Sequence, residues 1–287
     1  MNLAIIGVGY WGSKIAETAR LLNNVTVKTF DVNAPWHNES IDAAVIATPA
    51  ETHNDITRIL LDKHIPVLVE KPIADSFAQV QELIELADKN NTVMQSGHIL
   101  LFTKTTEYIK ENFDTSNLKL LETRRLNFGN IPAYQIPLEK HLLIHDLALV
   151  DYIKQEKIKR INTNGIDVLS TEYNDYTITN IEFETFSSTH HCSWFYPIKT
   201  RSVSVISNKE LVYVDDNTNG IIHKHGDYNS RLTLKEEQTI TIKDNMSPLQ
   251  RELEHFLNSV ENNDNNSING IAHIERVYAN LETITNA

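Results

Sequence analysis

The segment Gly7-Val8-Gly9-Tyr10-Trp11-Gly12 spells G-x-G-x-x-G. The spacing carries chemistry only in the right setting, and here it follows the apolar run Leu3–Ile6 and opens a helical pattern. Gly7 permits a tight turn, Gly9 lets backbone approach a pyrophosphate, and Gly12 allows close packing of helix on strand. The N–H groups of that helix start, Tyr10 and Trp11 among them, face a ligand with the positive end of the helix dipole. A glycine-rich turn with no ligand is the alternative. Asp31 follows Gly12 by 19 residues, at the end of the next strand pattern. A carboxylate there accepts hydrogen bonds from ribose hydroxyls and repels a 2′-phosphate, which favours NAD(H) over NADP(H). The competing reading of Asp31 is a turn residue in Asp-Val-Asn.

Two further segments sit at strand ends, where open α/β sheets bind their ligands. One is Ala47-Thr48-Pro49-Ala50-Glu51-Thr52-His53, which offers Thr48, Pro49 and His53. The other is Glu70-Lys71-Pro72. A lysine so placed can point its ammonium at a substrate hydroxyl and favour alkoxide character. Taken singly, each segment reads more readily as an ordinary loop. Farther on, His141 and His145 stand four apart in an apolar helical run. Residues i and i+4 share a helix face, and imidazole is the side chain suited to proton transfer near neutral pH. A pair of satisfied core histidines is the bland alternative. A metal pair would want a third ligand, which Asp146 offers poorly because it points about 100° around the helix. No metal site is expected.

The 287 residues exceed one ordinary domain of about 100–200 residues, so two domains are expected. Hydrophobic residues at 41% and charged residues at 22% describe a soluble composition. A formal net charge of −12 argues against nucleic acid and anionic membrane as partners. Cys192 is the only cysteine, which removes intramolecular disulfides and cysteine metal clusters. The opening Met1-Asn2-Leu3-Ala4-Ile5-Ile6-Gly7 reads as a buried strand and not as a signal peptide. No apolar run approaches the roughly 20 residues of a membrane helix. The cytoplasm is the expected location.

The elements that must position these residues alternate over residues 1–115. Strand patterns at Leu3–Ile6, Val25–Phe30, Ala43–Ala47, Val67–Val69 and Thr92–Ser96 are separated by helical patterns at Trp11–Leu22, Asp55–Lys63 and Ser76–Asn90. Ser76 is the expected N-cap of the last. Such alternation predicts parallel βαβ units in a doubly wound Rossmann sheet. Ten residues between Asp31 and Asp42 leave no room for an ordinary crossover helix. The pattern changes near Asn112–Asn117. Residues 116–287 then read as an α+β domain: a strand at Leu118–Phe128, a helix at His141–Ile153, and mostly strands from about 157 to 243. Helices near Pro248–Asn262 and His273–Thr285 close the chain, with the Asn-rich stretch Asn262–Asn269 as a loop between them.

Together these elements resemble the Gfo/Idh/MocA oxidoreductase family. Gly7–Gly12, Ala47–His53, Glu70-Lys71-Pro72, Gly97-His98 and His145-Asp146-Leu147 fall in the family's order. The block Ser193-Trp194-Phe195-Tyr196-Pro197, with Lys199, Arg201 and Tyr213-Val214-Asp215-Asp216, is similar to a subgroup near bacterial UDP-N-acetylglucosamine-type sugar dehydrogenases. The resemblance implies an N-terminal Rossmann domain and a C-terminal domain with a large, mostly antiparallel sheet. It implies hydride transfer between NAD(P) and a sugar, nucleotide sugar or cyclitol alcohol, and a homodimer or homotetramer formed through that sheet. By the same resemblance Lys71 orients the substrate and His145 is the acid/base. The family commonly has an aspartate where this chain has His141. The rival expectation is a non-catalytic NAD-binding scaffold or sensor of the same fold.

Overall fold

Strand β1 (Asn2–Ile6) runs into helix α1 (Tyr10–Ala19), and the alternation continues through β2 (Thr26–Phe30), β3 (Ala43–Ile46), α2 (His53–Asp62), β4 (Val67–Glu70), α3 (Phe77–Lys89) and β5 (Met94–Gly97). The computed structural model describes residues 1–129, 136–169, 173–227 and 233–286. The five strands pair in parallel in the order β2-β1-β3-β4-β5. Leu3, Ala4, Ile5 and Ile6 of β1 and Ala43 to Ile46 of β3 are all buried, as expected of strands covered on both faces. Between β2 and β3 the short sequence yields only a 3-10 turn at Trp36–Asn38, in place of a crossover helix. Buried Trp36 supplies an apolar side chain there. Helix α3 starts where its cap predicts: Ser76 Oγ accepts the Gln79 N–H at 3.3 Å and Gln79 Oε1 accepts the Ser76 N–H at 3.2 Å.

The chain continues through α4 (Lys104–Asn112), β6 (Leu120–Phe128), a π-helical turn at Glu139–Leu143, α5 (Ile144–Ile153), β7 (Arg160–Ile166), β8 (Tyr176–Glu182), β9 (Ser187–Ser193), β10 (Phe195–Ile206), β11 (Glu210–Asp215), β12 (Gly220–Asp227) and β13 (Thr233–Thr241). It closes with α6 (Pro248–Asn262) and α7 (Ile271–Thr285). Eight strands form one sheet in the order β13-β12-β11-β10-β6-β9-β8-β7. Among the described residues of this sheet, only β6 and β9 pair in parallel; the other pairs are antiparallel. Helix α5 is apolar nearly all round, with Ile144, Leu147, Ala148, Leu149, Val150 and Ile153 buried. Among the described residues no helix is long and apolar enough to cross a membrane.

Two compact units result, and their limits correct the single cut expected at residue 115. One unit holds Met1–Phe102 and Met246–Ala279; the other holds Thr103–Asn245 and Asn280–Ala287. Helix α4 goes with the large sheet because Thr105 donates to Asp216 at 2.5 Å and Tyr108 meets His223 at 3.0 Å. Helix α6 returns to the first unit because Leu249, Leu253, Phe256 and Leu257 recur at helical spacing and pack with Leu3, Ile5 and Ile15. The Asn-rich loop is fastened along the edge of β5. Asn265 Oδ1 accepts the Met94 N–H at 3.1 Å, Asn269 O accepts the Ser96 N–H at 3.0 Å, and Asn269 Nδ2 donates to Ser96 O at 2.9 Å. Those bonds cover an edge strand that would otherwise be open to pairing.

In the second unit His190 is wholly buried, its Nδ1 2.8 Å from the Thr123 hydroxyl and its Nε2 2.8 Å from the Ser188 hydroxyl. Rotating hydroxyls suit a neutral ring, and burial pushes the histidine from 6.5 down to about 4. The unfolded chain therefore takes up this proton near pH 6.5 and the folded chain only near pH 4, so stability is lost as pH falls between them. Chemical denaturation of wild type and His190→Gln should show the wild type losing roughly 3 kcal/mol more than the variant across that interval. Parallel pH profiles would contradict it.

Candidate functional site

The glycine loop is shaped by backbone contacts. Gly7 has φ +103°, and a Cβ on it would lie 2.4 Å from Ala47 O. A Cβ on Gly12 would lie 1.9 Å from Gly7 O, so helix α1 can approach β1 only with glycine there. A Cβ on Gly9 would meet nothing within 4 Å. Helix α1 begins at Gly9 with no side-chain cap and no acidic residue in its first turn. The amides of that turn have no intrahelical partner. Open space above Gly9 and uncapped amides fit a pyrophosphate. Tyr10 is exposed, its hydroxyl accepting from Lys14 Nζ at 2.6 Å. Asp31 is exposed at the end of β2, where its Oδ1 accepts the Val32 N–H at 2.6 Å, a position that fits a ribose hydroxyl.

Trp11 and Glu70 turn toward each other, and the indole N–H donates to Glu70 Oε1. Glu70 lies against Gly97, where a Cβ would stand 3.0 Å from the carboxyl. Burial raises the Glu70 carboxyl above its ordinary range, against the Trp11 bond and the Lys71 charge. Glu252 of α6, also buried, is pushed up by burial and by Glu70. Glu70 thus braces the glycine loop against the end of β4, and Lys71 follows it as the next residue.

His53 is corrected. Its ring is buried, with Nδ1 2.7 Å from Pro72 O and Nε2 2.8 Å from Thr48 O. It clamps the loop after β3 to the loop after β4 and has no surface left for a coenzyme. Burial lowers its pKa, and the two carbonyl bonds oppose that. Thr48 is buried and joined to the Thr52 hydroxyl at 2.7 Å, whereas Pro49 is exposed.

In the second unit the range His141–Ile153, expected to be helical, is helical throughout but opens as a π turn. His141 lies in the π-helical turn and His145 in α5, so ideal α spacing does not relate them. Pi turns recur at functional sites. The His141 ring packs on Trp194 with centroids 4.5 Å apart. Both histidines are half-buried. Asp146, beside His145, is fully buried and turned to the sheet, where Arg125 Nη2 donates to it at 2.7 Å and Nε at 3.1 Å. The Cys192 thiol faces the other carboxylate oxygen at 3.7 Å, and burial pushes that thiol up. Burial works against the Arg125 charge, and Asp146 more than offsets it. Cross-strand register sets Arg201, Arg125 and Cys192 side by side on β10, β6 and β9. Arg201, pushed down to about 10 by burial and by Arg125, donates to Asn127 Oδ1 at 2.9 Å. Removing one member of such a buried pair costs about 3–5 kcal/mol. Sequence reasoning missed Arg125, Cys192 and Arg201 as a group because only strand register brings them together.

Residues 19–98 match the model of an oxidoreductase family with an NAD-binding Rossmann fold, Gfo/Idh/MocA. The chain is similar to that family in this segment. It is 36% identical over 127 residues to biliverdin reductase A of Mus musculus, covering 38% of this chain and 43% of the relative. It is 26% identical over 168 residues to UDP-N-acetylglucosamine 3-dehydrogenase of Acidithiobacillus ferrooxidans, covering 52% of this chain and 53% of the relative. The chain thus spans about half the length of these two relatives. A solved structure of the Acidithiobacillus ferrooxidans UDP-N-acetylglucosamine 3-dehydrogenase superposes with TM-score 0.87 at 20% identity, over 99% of this chain and 96% of that one. The fold of this chain is therefore shared with that structure over nearly its whole length.

The position of Asp31 predicts that NADH binds more tightly than NADPH, because a 2′-phosphate beside a carboxylate meets like charge. Fluorescence titration of both coenzymes against wild type and Asp31→Ser measures it. The variant should narrow the gap, and tighter NADPH binding by the wild type would overturn the assignment.

Proposed function

We propose that this chain transfers a hydride between NAD(H) and a secondary alcohol of a sugar or nucleotide sugar. The observation that carries the reading is the glycine loop, open above Gly9 and tied through Trp11 to the strand end that presents Lys71. The amides at Gly9 and the first turn of α1 would hold the pyrophosphate, Asp31 the ribose, and Thr48 and Pro49 the adjoining strand end. The bound nicotinamide supplies the hydride donor or acceptor. Lys71 positions the substrate hydroxyl and favours its alkoxide form. His145 takes the hydroxyl proton in oxidation and returns it in reduction. Its helix is held to the sheet by Asp146 and Arg125, so the imidazole is carried on a rigid element.

The names of the two relatives describe redox enzymes with different substrates. Their similarity supports the coenzyme chemistry more strongly than any one substrate. The sugar-type substrate rests on the UDP-N-acetylglucosamine 3-dehydrogenase relative and on the Ser193–Pro197 block. A non-catalytic NAD-binding protein is the second reading, favoured by His141 packing on Trp194 where the resembled family has an aspartate.

The test is reduced-nicotinamide absorbance with NAD and a panel of nucleotide sugars, free sugars and cyclitols. At least one should turn over. With it, Lys71→Ala should lower kcat by about a hundredfold while NADH affinity is kept. His145→Ala should lower kcat by about a hundredfold or more. Coenzyme binding without turnover across the panel supports the non-catalytic reading, and near-normal turnover of either variant removes its residue from the mechanism.

We also propose that the chain is a homodimer or homotetramer. Phe128 and Phe195 are register partners on β6 and β10, both exposed, with rings 5.7 Å apart, and Ile198 is exposed near them in sequence. Light scattering at micromolar concentration should give a multiple of 32.7 kDa, and a monomer mass would refute it.

A further inference from the structure

Away from the candidate site described above, strand pairing gathers three metal-ligand side chains on the β11–β12 hairpin. Glu210 opens β11, and His223 and His225 lie two apart on β12, hence on one face of the sheet. His225 is the direct register partner of Glu210. His223 Nε2 is 3.0 Å from Glu210 Oε2, and His225 Nδ1 is 3.7 Å from the same oxygen. The two imidazoles have centroids 4.0 Å apart. One potential ligand atom from each residue lies within 4.8 Å of the others.

We propose that Glu210, His223 and His225 bind a divalent transition-metal ion of the zinc class. Zinc holds imidazole nitrogen and carboxylate oxygen at about 2.0–2.2 Å, so tetrahedral ligand atoms stand roughly 3.3–3.5 Å apart. The observed 3.0 and 3.7 Å bracket that spacing, and shifts of a few tenths of an ångström convert the cluster into a coordination shell. A hydrogen bond accounts for His223 on Glu210, but 3.7 Å is too long to explain the placement of His225 in the same way.

The outer contacts aim the ligands. Tyr108 Oη sits 3.0 Å from His223 Nδ1, which leaves Nε2 facing Glu210. The Asp114 N–H donates to Glu210 Oε1 at 2.8 Å, which leaves Oε2 facing the two imidazoles. A partner on the far nitrogen of a ligating histidine, and one on the far oxygen of a ligating carboxylate, are the usual supports of a metal site. The His225 side chain is 41% exposed, so an ion can enter from solvent and keep a water as fourth ligand. Two histidines and one carboxylate are a borderline ligand set that suits zinc better than magnesium or calcium. An ion here would fasten the hairpin, through Tyr108 and Asp114, to helix α4 and the turn that follows it. The site is independent of the proposed dehydrogenase activity, and its readouts are binding and melting.

The experiment is calorimetric titration of Zn²⁺ into the full chain after EDTA treatment and desalting, with thermal melting in parallel. One zinc should bind per chain and raise the melting temperature. His225→Ala, whose side chain is partly exposed and whose loss the fold should bear, should abolish both effects. Tyr108→Phe should weaken zinc by about tenfold or more, the loss expected of an outer-shell partner. The absorption of bound Co²⁺ should report a nitrogen-containing shell in wild type and change in His225→Ala. No zinc uptake by the wild type, or equal uptake by wild type, His225→Ala and Glu210→Gln, overturns the proposal.

Discussion

The contact on which the proposed coenzyme site depends is the bond from the Trp11 indole to the Glu70 carboxyl. Trp11 belongs to the first turn of α1 and Glu70 to the end of β4, so one hydrogen bond ties two strand-end loops of the parallel sheet. Its strength does not require a charge, since a protonated carboxyl still accepts a hydrogen bond. Burial favours that neutral form for Glu70, and the neighbouring Glu252 is pushed the same way. The absence of a side chain at Gly97 makes room for the carboxyl. His53 adds a second tie, from Thr48 to Pro72. Together these bonds set the backbone at Gly9 and Lys71 before any ligand arrives, so less ordering is left to the binding step.

The other unit solves a similar problem with an ion pair. Helix α5 is largely apolar but buries Asp146 and Asp151, and Asp146 reaches Arg125 in the sheet. A buried pair of this kind is weak evidence for net stability, because desolvation consumes much of the attraction. Its value is orientation. His145 is the residue before Asp146, so the pair that fixes the helix also fixes the direction of the proposed acid/base. The π turn ahead of it lets the chain enter α5 with His141 against Trp194.

Much of this was legible in the sequence, for identifiable reasons. Alternating apolar strands and amphipathic helices reported the parallel sheet, the glycine spacing reported its first loop, and the short Asp31–Asp42 interval reported the missing crossover helix. Local signals such as Ser76 and its partner Gln79 gave a helix start. What escaped depends on contacts distant in sequence. The return of α6 to the first unit is written in Leu249, Leu253, Phe256 and Leu257, but nothing local says against which core they pack. Asn265 and Asn269 read as loop composition and turn out to cover a sheet edge. His53 carries the type and place of a site residue, and only its two carbonyl partners reveal a clamp. Glu210 and His225 are 15 positions apart and become neighbours through strand register alone.

The central claim is that hydride passes between the nicotinamide and a substrate carbon. It is tested most directly with NADH deuterated at the transferable position and the ketone form of whichever alcohol the chain accepts. Mass spectrometry of a single turnover should find one deuterium on the former carbonyl carbon, with a primary isotope effect on that step. Product free of carbon-bound deuterium, or coenzyme that keeps its label while bound, would contradict the account.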